Sequence, residues 1–353
     1  MSEKLLMKGN EAVAEAAIKA GCRYFFGYPI TPQNDIPEYM SRRMPEVGGE
    51  YLQAESEVAA INMVHGAAGA GARVMTSSSS PGISLKAEGI SYLVGSQLPS
   101  VIVNMMRGGP GLGGIQPSQS DYFQATKGLA HGDIKLGVLA PYSVQELVDL
   151  TYVAFEMADK YRNPMMILGD GMIGQMMEPV EFEEEIDPDN LPRKEWATDG
   201  TSGRDRNKIT SLSLDASVLE DLNIKIQEKY SRMREEEVRY DEYKTEDADI
   251  ILVAFGTTAR ICISAIDKVR EEEGIRAGLF RPVTLFPYPE DRLEELSHDA
   301  EEFLTVEMNA GQMLEDVKRI AGKRRPVEFY GRCGGVIPGI EEIADKIKEM
   351  RGE

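Results

Sequence analysis

The chain is poor in the residues that bind metals and form disulfides. It has three cysteines, Cys22, Cys262 and Cys333, and three histidines among 353 residues, and no two cysteines are close enough to form a CxxC pair. This spacing excludes a zinc or iron–sulfur site built from neighbouring cysteines and predicts reduced thiols. We therefore expect no metal-ligating residue in this chain.

Long apolar runs and phosphate-binding motifs are also missing. No apolar stretch approaches the roughly 18 residues that a membrane span needs. The apolar part of the first segment, MSEKLLMKGNEA, is only three residues long, which is too short for a signal peptide. The stretch GGPGLGG lacks the spacing of a dinucleotide fingerprint, and no P-loop lysine pattern occurs. These absences predict a cytoplasmic protein without a membrane partner.

The balance of charge limits the partners. The chain has 59 acidic and 39 basic residues, a formal net charge of −20. A field of this sign disfavours nucleic acid as a partner. The hydrophobic content of 42% and the charged content of 28% are typical of a globular protein, and the length allows two domains with separate cores.

Helical and strand-like patterns alternate along most of the chain. In residues 1–180 we predict helices at 10–20, 58–70 and 144–161, and strands at 24–26, 50–53, 74–76, 101–105, 136–139 and 165–168. A second alternating block fills residues 247–353. Such alternation predicts βαβ units and mainly parallel sheets, that is, an α/β protein with two doubly wound domains.

Residues 181–246 interrupt this alternation. The first part of the segment is charged, rich in helix breakers and poor in aliphatic residues, which is typical of a linker that crosses a surface. Leu219, Leu222, Ile226, Tyr230 and Met233 then recur at helical spacing. We interpret them as the packing stripe of an amphipathic helix.

Three polar residues follow predicted strands, where ligands collect in open parallel sheets. Pro29 and Pro32 bracket Thr31 and fix the backbone on both sides of it. The alternative is that Thr31 is a helix N-cap, with Pro32 at the first helical position. Both interpretations place Thr31 just past a strand end.

The other two residues are Glu57 and Arg107. Glu57 follows Ser56 at a helix start, where it can exchange a proton or merely complement the helix macrodipole. Arg107 leaves an apolar strand and enters GGPGLGG, which suits bidentate binding of a small carboxylate or phosphate; the alternative is a solvated charge. The serine-rich loop SSSSPG, residues 77–82, is a further, weaker candidate for ligand contact.

Several segments together resemble one family. GYPITPQ, SEVAAINMVHGAAGAGARVMT, NMMRGGPGLGG and ILGDGMIGQ stand in the order and spacing of the alpha subunit of 2-oxoacid:ferredoxin oxidoreductases. ILVAFGTTAR and FRPVTLFPYP resemble that subunit's transketolase C-terminal-like domain. The segment RGGPGLGGIQPSQSDYFQATKG is most similar to the 2-oxoisovalerate (branched-chain) type. The 2-oxoglutarate type more often carries Ser-Thr where this chain has Gly111 and Leu112.

The resemblance implies the roles of the domains and of the site residues. Residues 1–180 are expected to be a pyrimidine-binding domain for thiamine diphosphate, and residues 247–353 the transketolase C-terminal-like domain. Glu57 is implied to be the catalytic, cofactor-binding residue, because its hydrogen bond to the aminopyrimidine ring promotes removal of the thiazolium proton. Glu55 is the alternative if the register is misassigned. Thr31 and Arg107 are implied to bind the 2-oxoacid carboxylate.

The resemblance also implies partner subunits. The family's Mg²⁺ motif combines GDG with an asparagine about two dozen residues later, but here Gly169-Asp170-Gly171 is followed by a charged linker with a lone Asn190. We interpret this GDG as a strand-end turn. A beta subunit is implied to supply the diphosphate and Mg²⁺ half of the site, and a ferredoxin-like delta subunit the [4Fe–4S] clusters, with a gamma subunit completing the complex.

The implied reaction is CoA-dependent oxidative decarboxylation of 2-oxoisovalerate, with electrons passing to ferredoxin. One alternative keeps this machinery but acts on 2-oxoglutarate. The other is a non-catalytic scaffold subunit with a vestigial site, against which the set Thr31, Glu57 and Arg107 argues.

Overall fold

A computed structural model describes residues 4–352 of the chain. Its helices are α1 (Gly9–Lys19), α2 (Asp35–Glu46), α3 (Glu57–Gly69), α4 (Pro81–Gly95), α5 (Tyr122–Thr126), α6 (Val144–Tyr161), α7 (Gly171–Gln175), α8 (Ala216–Glu236), α9 (Gly256–Glu272), α10 (Glu290–Asp299), α11 (Met313–Ile320) and α12 (Ile340–Arg351). Its strands are β1 (Leu5–Lys8), β2 (Tyr24–Gly27), β3 (Glu50–Gln53), β4 (Val74–Ser78), β5 (Ser100–Met106), β6 (Gly137–Leu139), β7 (Pro164–Asp170), β8 (Met177–Val180), β9 (Tyr240–Tyr243), β10 (Ile250–Val253), β11 (Ala277–Pro282), β12 (Thr284–Phe286), β13 (Glu302–Glu307) and β14 (Val327–Gly331). Helices and strands alternate in both blocks.

The larger sheet has the order β12-β6-β7-β5-β4-β2-β3 and is parallel from β6 to β3. The strands β5 and β7 are buried at every position, as expected for central strands covered on both faces. The helix α1 packs against α2 and α6, whereas α3 packs against α4. The predicted doubly wound α/β fold is confirmed.

The order of strands marks a ligand-binding crevice. The chain runs from β2 to its neighbour β3 and then returns to β4 on the opposite side of β2. In open parallel sheets, ligands bind beyond the carboxyl ends of the strands at such a switch point. The segments that follow β2 and β4 therefore frame the expected site.

The second block forms a smaller sheet with the order β14-β13-β10-β11-β9, in which β9 is antiparallel to β11. Its helices α9 and α12 pack against each other. The strand β12 leaves this block and pairs antiparallel with β6 at the edge of the larger sheet. The two blocks thus share a sheet as well as an interface, which the sequence pattern did not reveal.

The helix α8 packs on the first block over only part of its length. The side chains of Ile226, Tyr230 and Met233 are buried, whereas Leu219 is 40% exposed. The Tyr230 hydroxyl accepts a hydrogen bond from the backbone N–H of Lys135, at 2.8 Å. The predicted stripe is therefore a packing surface in its second half. Among residues 4–352, no helix combines the length and apolar character needed to cross a membrane.

Candidate functional site

The loop after β2 holds Thr31 but does not start a helix there. The helix α2 begins only at Asp35. The carbonyl of Thr31 accepts a hydrogen bond from Arg107 Nη1 at 2.9 Å, and that of Pro32 accepts one from Asn10 Nδ2 at 2.8 Å. The first backbone hydrogen bond of α2 runs from the N–H of Glu38 to the carbonyl of Asn34 at 3.2 Å, so Asn34 occupies the N-cap position. The interpretation of Thr31 as an N-cap is wrong.

The Thr31 side chain is half-buried at this loop. Its Oγ1 accepts a hydrogen bond from Asn34 Nδ2, at 3.2 Å. A hydroxyl that accepts one hydrogen bond still has its own proton to donate. The geometry thus leaves Thr31 able to donate to an acceptor beyond the end of β2.

Arg107 lies at the carboxyl end of β5 and is only 7% exposed, so the interpretation as a solvated charge is wrong. Its Nη1 donates to the Thr31 carbonyl and its Nη2 to the Leu112 carbonyl, each at 2.9 Å. Its Nε is buried and has no partner among the described residues. Arg107 thus ties the loop after β2 to the loop after β5, and its Nε–H remains without a partner.

The glycine-rich loop after Arg107 folds back on itself. The backbone N–H of Gly108 donates to Gln116 at 2.9 Å, and that of Gly114 donates to Gly108 at 2.8 Å. Gly113 has a φ of +61°, and a Cβ there would lie 1.9 Å from the Gly108 carbonyl oxygen. The closed loop therefore needs glycine at this position.

Glu57 begins α3 and is 6% exposed. Ser56 caps the helix by accepting a hydrogen bond from the N–H of Ala59 at 3.2 Å. This cap points Glu57 inward, whereas Glu55 is exposed. A Cβ on Gly82 would lie 2.8 Å from Glu57 Oε1. Across residues 4–352 the structure gives the Glu57 carboxylate no hydrogen-bond partner.

The serines after β4 separate into two pairs. The hydroxyl of Ser77 donates to Gln33, and that of Ser80 donates to Asp121 at 2.6 Å. The hydroxyls of Ser78 and Ser79 are buried without partners among the described residues. Buried polar groups are normally hydrogen-bonded, so these two indicate a place for polar ligand atoms. The run of four serines after a predicted strand indicated a ligand contact in the sequence. The sequence did not show which of the four hydroxyls lack a partner.

Asp121 links the serine segment after β4 to Asn104 on β5. Its Oδ2 accepts hydrogen bonds from the Ser80 hydroxyl at 2.6 Å and from Asn104 Nδ2 at 2.9 Å. Burial raises the pKa of Asp121, while the hydrogen bonds from Ser80 and Asn104 and the charge of Arg107 act against that rise. The sequence did not single out this residue, since nothing local marks it.

The second block meets the first through Gln119. Its Nε2 donates to the Phe255 carbonyl at 2.7 Å, and its Oε1 accepts from Thr258 Oγ1 at 3.1 Å and from the N–H of Met308 at 3.0 Å. Its backbone carbonyl accepts from Asn309 Nδ2 at 2.8 Å. The buried Gln119 of the first block thus forms hydrogen bonds with four residues of the second block.

A cavity of about 710 Å³ opens beside this junction. One wall is formed by Ser80, Asp121 and the glycine-rich loop, and the other by Asn309, Gln312 and Cys333. The cavity lies next to the glycine-rich loop that Arg107 anchors.

The GDG segment, residues 169–171, connects β7 to the short helix α7. Asp170 caps the short helix α7, its Oδ1 accepting hydrogen bonds from the N–H groups of Met172 at 2.8 Å and Ile173 at 3.2 Å. Burial raises its pKa, and the hydrogen bonds from the backbone N–H groups of Ile173 and Met172 oppose the rise. This is the strand-end turn that we predicted. In residues 4–352 no three His, Cys, Asp or Glu side chains are grouped so that they could hold a metal ion.

These residues fit one part of an aminopyrimidine cofactor. Glu57 is 6% exposed, its carboxylate has no hydrogen-bond partner among the described residues, and it packs against Gly82, where a Cβ would lie 2.1 Å from Ser78 Oγ and 2.8 Å from Glu57 Oε1. A ring nitrogen and an amino group are suitable partners for this carboxylate and for the free hydroxyls of Ser78 and Ser79. Asp170, in contrast, already caps a helix.

Comparison with known proteins decides the family. The model described as "Pyruvate flavodoxin/ferredoxin oxidoreductase, thiamine diP-bdg" matches residues 15–247, and "Pyruvate:ferredoxin oxidoreductase core domain II" matches residues 248–343. The chain belongs to the 2-oxoacid:ferredoxin oxidoreductase family. The family predicted from the sequence motifs is thereby confirmed. This family is thiamine diphosphate-dependent, and its enzymes have several subunits.

Two relatives and two solved structures are informative. The ketoisovalerate oxidoreductase subunit VorB of Methanothermobacter thermautotrophicus is 52% identical to this chain. The alignment covers 99% of this chain and 98% of VorB. The 2-oxoglutarate synthase subunit KorA of the same organism is 36% identical to this chain. The alignment covers 99% of this chain and 100% of KorA. A 2-oxoglutarate:ferredoxin oxidoreductase from Magnetococcus marinus, solved with 2-oxoglutarate, coenzyme A and succinyl-CoA bound, aligns with a TM-score of 0.87 at 26% identity. The match covers 99% of this chain and 65% of that one. A split-gene transketolase, at 12% identity over 97% of both chains and a TM-score of 0.60, shares the fold.

Proposed function

We propose that this chain is the alpha subunit of a 2-oxoisovalerate:ferredoxin oxidoreductase. The complete enzyme converts a branched-chain 2-oxoacid and CoA to acyl-CoA and CO₂ and passes the electrons to ferredoxin. The observation that carries this proposal is Glu57, which is 6% exposed, has no hydrogen-bond partner for its carboxylate among the described residues and lies beside Gly82, at the switch point of a domain that matches a thiamine diphosphate-binding model. The substrate assignment is supported by the 52% identity to a ketoisovalerate oxidoreductase subunit.

Glu57 is assigned the proton-handling role. Thiamine diphosphate, when bound, supplies the carbanion stabilisation that decarboxylation of a 2-oxoacid requires. Glu57 binds the pyrimidine side of that cofactor and holds or releases a proton at its carboxyl group. Glu57 is only 6% exposed, and a hydrogen bond inside a protein is electrostatically stronger than one in water. The exposed Glu55 lacks this environment.

Thr31 and Arg107 are assigned to the carboxylate of the 2-oxoacid. Arg107 has its Nε–H free, while Nη1 and Nη2 donate to backbone carbonyls. Thr31 has its hydroxyl proton available. Each Nη group has a second N–H, so Arg107 keeps donors for an oxoacid carboxylate while it binds the carbonyls of Thr31 and Leu112. The loop that carries Leu112 is largely exposed.

The partners are part of the proposal. A beta subunit supplies the Mg²⁺ and diphosphate half of the cofactor site, a ferredoxin-like delta subunit carries the [4Fe–4S] clusters, and a gamma subunit completes the complex. The names of the similar chains support this organisation, since both relatives are described as subunits. CoA is the co-substrate, in keeping with the coenzyme A bound in the structure from Magnetococcus marinus.

The substrate is tested on the assembled complex. The chain is copurified with its partners, and kcat/KM is measured for 2-oxoisovalerate and 2-oxoglutarate by CoA-dependent ferredoxin reduction. We expect a clear preference for 2-oxoisovalerate. A preference for 2-oxoglutarate would instead support the KorA-like function, which the 36% identity over the whole chain makes the second candidate. A complex that holds the cofactor but oxidises neither acid would support the scaffold alternative.

A further inference from the structure

A second large cavity, of about 790 Å³, lies where the end of α8 meets the second block. Lys127 and Lys135, from the segment between α5 and β6, line it together with Arg234 of α8. Phe286 on β12 lines it from the second block. None of the three candidate site residues at the crevice lines this cavity, so it is a separate place in the fold.

Two cations of this cavity have no carboxylate partner. Arg234 forms no hydrogen bond or ion pair with any of residues 4–352, and its Cζ lies 5.3 Å from the centroid of the Phe286 ring. Lys135 Nζ lies 5.7 Å from the same centroid and donates one hydrogen bond, at 2.5 Å, to the carbonyl of Thr126. Within the described part of the chain Lys135 forms no ion pair either. Because an ammonium has three donors and a guanidinium five, both groups keep donors for a ligand.

Five carboxylates also line the cavity, and three of them are bound to other cations. The three are Glu290, Glu295 and Asp316, and their partners are Lys127, Arg292 and Arg319. The other two, Glu235 and Asp291, are exposed, whereas Lys135 is half-buried. Solvent screens exposed charges more strongly than partly buried ones. The positive charge of Lys135 is therefore compensated only weakly by the acids of the cavity.

The charges around Lys135 favour a further anion. Burial lowers the pKa of Lys135, and the positive charges of Lys127 and Arg234 lower it further, against an opposing contribution from Asp316. An anion bound beside the amine would favour its charged form, as any opposite charge nearby does. The shift thus agrees with the geometry, in which the two unpaired cations lie near one ring.

The lining of the cavity indicates the class of ligand. A guanidinium and an ammonium together suit the oxygens of a phosphate group. The side chains of Val238, Leu285 and Phe286 add apolar surface. The volume lies within the range of about 300–1,000 Å³ that is typical of sites for small organic molecules, and a bare inorganic ion would leave most of it unfilled.

We propose that this cavity binds a small organic phosphate. Lys135 and Arg234 hold the phosphate group, and the apolar part of the ligand packs against Val238 and Phe286. Since residues from both blocks line the cavity, the ligand bridges the blocks beside β12. The inference goes beyond the function proposed above and does not depend on the role of Glu57.

Binding is tested by isothermal titration calorimetry of the full-length chain at constant ionic strength. The probe is phenyl phosphate, and phenol and inorganic phosphate are the comparison ligands. We expect one phenyl phosphate to bind per chain, more tightly than either comparison ligand, although the net charge of −20 opposes unspecific binding of anions. Absence of phenyl phosphate binding would overturn the proposal. Equal affinity for phenol would overturn the role of the phosphate group, and equal affinity for inorganic phosphate would overturn the assignment of an organic ligand.

Three variants locate the bound phosphate. Arg234→Gln and Lys135→Met should each weaken phenyl phosphate binding by about ten- to a hundredfold, the range expected for loss of one charge-assisted hydrogen bond. Arg234 is exposed and forms no hydrogen bond within the described residues, so Arg234→Gln decides the question if Lys135→Met does not fold. Glu235→Gln is the matched control, because it removes a neighbouring charge of opposite sign and should leave binding unchanged or tighten it. Wild-type affinity in Arg234→Gln, or an equal loss in Glu235→Gln, would overturn the proposal.

Discussion

The crevice has one side formed by residues that follow β5 and another formed by Glu57 and the serines at the end of β4. The polar side chains on these two sides differ in how many hydrogen bonds they form within the protein. On the β5 side, most side-chain polar atoms of Arg107, Gln119 and Asp121 form hydrogen bonds within the protein, whereas Arg107 Nε is buried without a partner. On the β4 side, Ser78 and Ser79 are buried without hydrogen bonds among the described residues, and the carboxylate of Glu57 lacks one as well. Native proteins leave few buried polar groups unpaired. The difference indicates that the β5 side is a framework that joins the blocks, while the β4 side receives a ligand.

The largest effect should come from Glu57→Gln on the β4 side. Loss of one positioned proton-transfer group typically lowers turnover about 10²–10⁴-fold. Because the Glu57 carboxylate forms no hydrogen bond within the described residues, the free energy of unfolding should change little. Turnover of the complex and denaturant unfolding of the chain measure the two quantities. Glu55→Gln is the control and should keep wild-type turnover. Equal losses in both variants would contradict the assignment.

Arg107→Lys should affect both catalysis and the framework. A lysine cannot reproduce the two hydrogen bonds to the carbonyls of Thr31 and Leu112 together with a third donor for the substrate. Loss of a charged hydrogen bond of about 1.5–3 kcal/mol predicts a decrease of roughly ten- to a hundredfold in kcat/KM for 2-oxoisovalerate.

Thr31→Val is the milder companion of that variant, because it removes a neutral donor and keeps the shape. It should lower kcat/KM less than Arg107→Lys does, with unchanged cofactor affinity in both. If cofactor affinity collapses while the dependence on the oxoacid is unchanged, Arg107 belongs to the cofactor site.

Gln119→Leu should destabilise the junction between the blocks. The change leaves the buried N–H of Met308 without its partner and removes one of the two side-chain donors to the Phe255 carbonyl, which keeps its hydrogen bond from Thr258 Oγ1. An unsatisfied buried group costs about 1–3 kcal/mol. The free energy of unfolding should fall accordingly, while turnover per folded complex remains within a fewfold of wild type. Wild-type stability would show that the β5 side is not the framework described here.

The smallest effects should come from two neighbouring serines. Ser80→Ala removes a hydroxyl that donates to Asp121 and accepts from the N–H of Arg107 at 3.1 Å, so we expect a loss of about 1–3 kcal/mol in stability. Ser79→Ala removes no hydrogen bond and should change stability by less than about 0.5 kcal/mol. Equal changes would show that the hydrogen bonds of Ser80 contribute nothing to stability.

Local patterns predicted much of the fold. The helix α6 was predicted with its observed bounds, Val144–Tyr161, because a serine N-cap precedes a regular apolar period. The helix α4 was missed, because its inner face carries Gly82, Lys86 and Gly89 in place of an apolar stripe. The pairing of β12 with β6 was also missed, since such a contact depends on the tertiary arrangement.

The site was predictable only in part. The sequence located Thr31, Glu57 and Arg107 at strand ends and helix starts, and the structure brings Thr31 and Arg107 into contact. The sequence could not show that Arg107 already binds two carbonyl groups, or that Lys135 and Arg234 line the same cavity. Both facts depend on which loops and helices meet in three dimensions, and neither has a local signal.

The most direct test of the account concerns the cofactor of the assembled complex. Hydrogen–deuterium exchange at C2 of bound thiamine diphosphate is measured in the wild type, in Glu57→Gln and in Glu55→Gln. We predict that Glu57→Gln slows this exchange by about 10²-fold or more, while Glu55→Gln exchanges at the wild-type rate. Wild-type exchange in Glu57→Gln would contradict the claim that Glu57 handles the proton at the pyrimidine side of the cofactor.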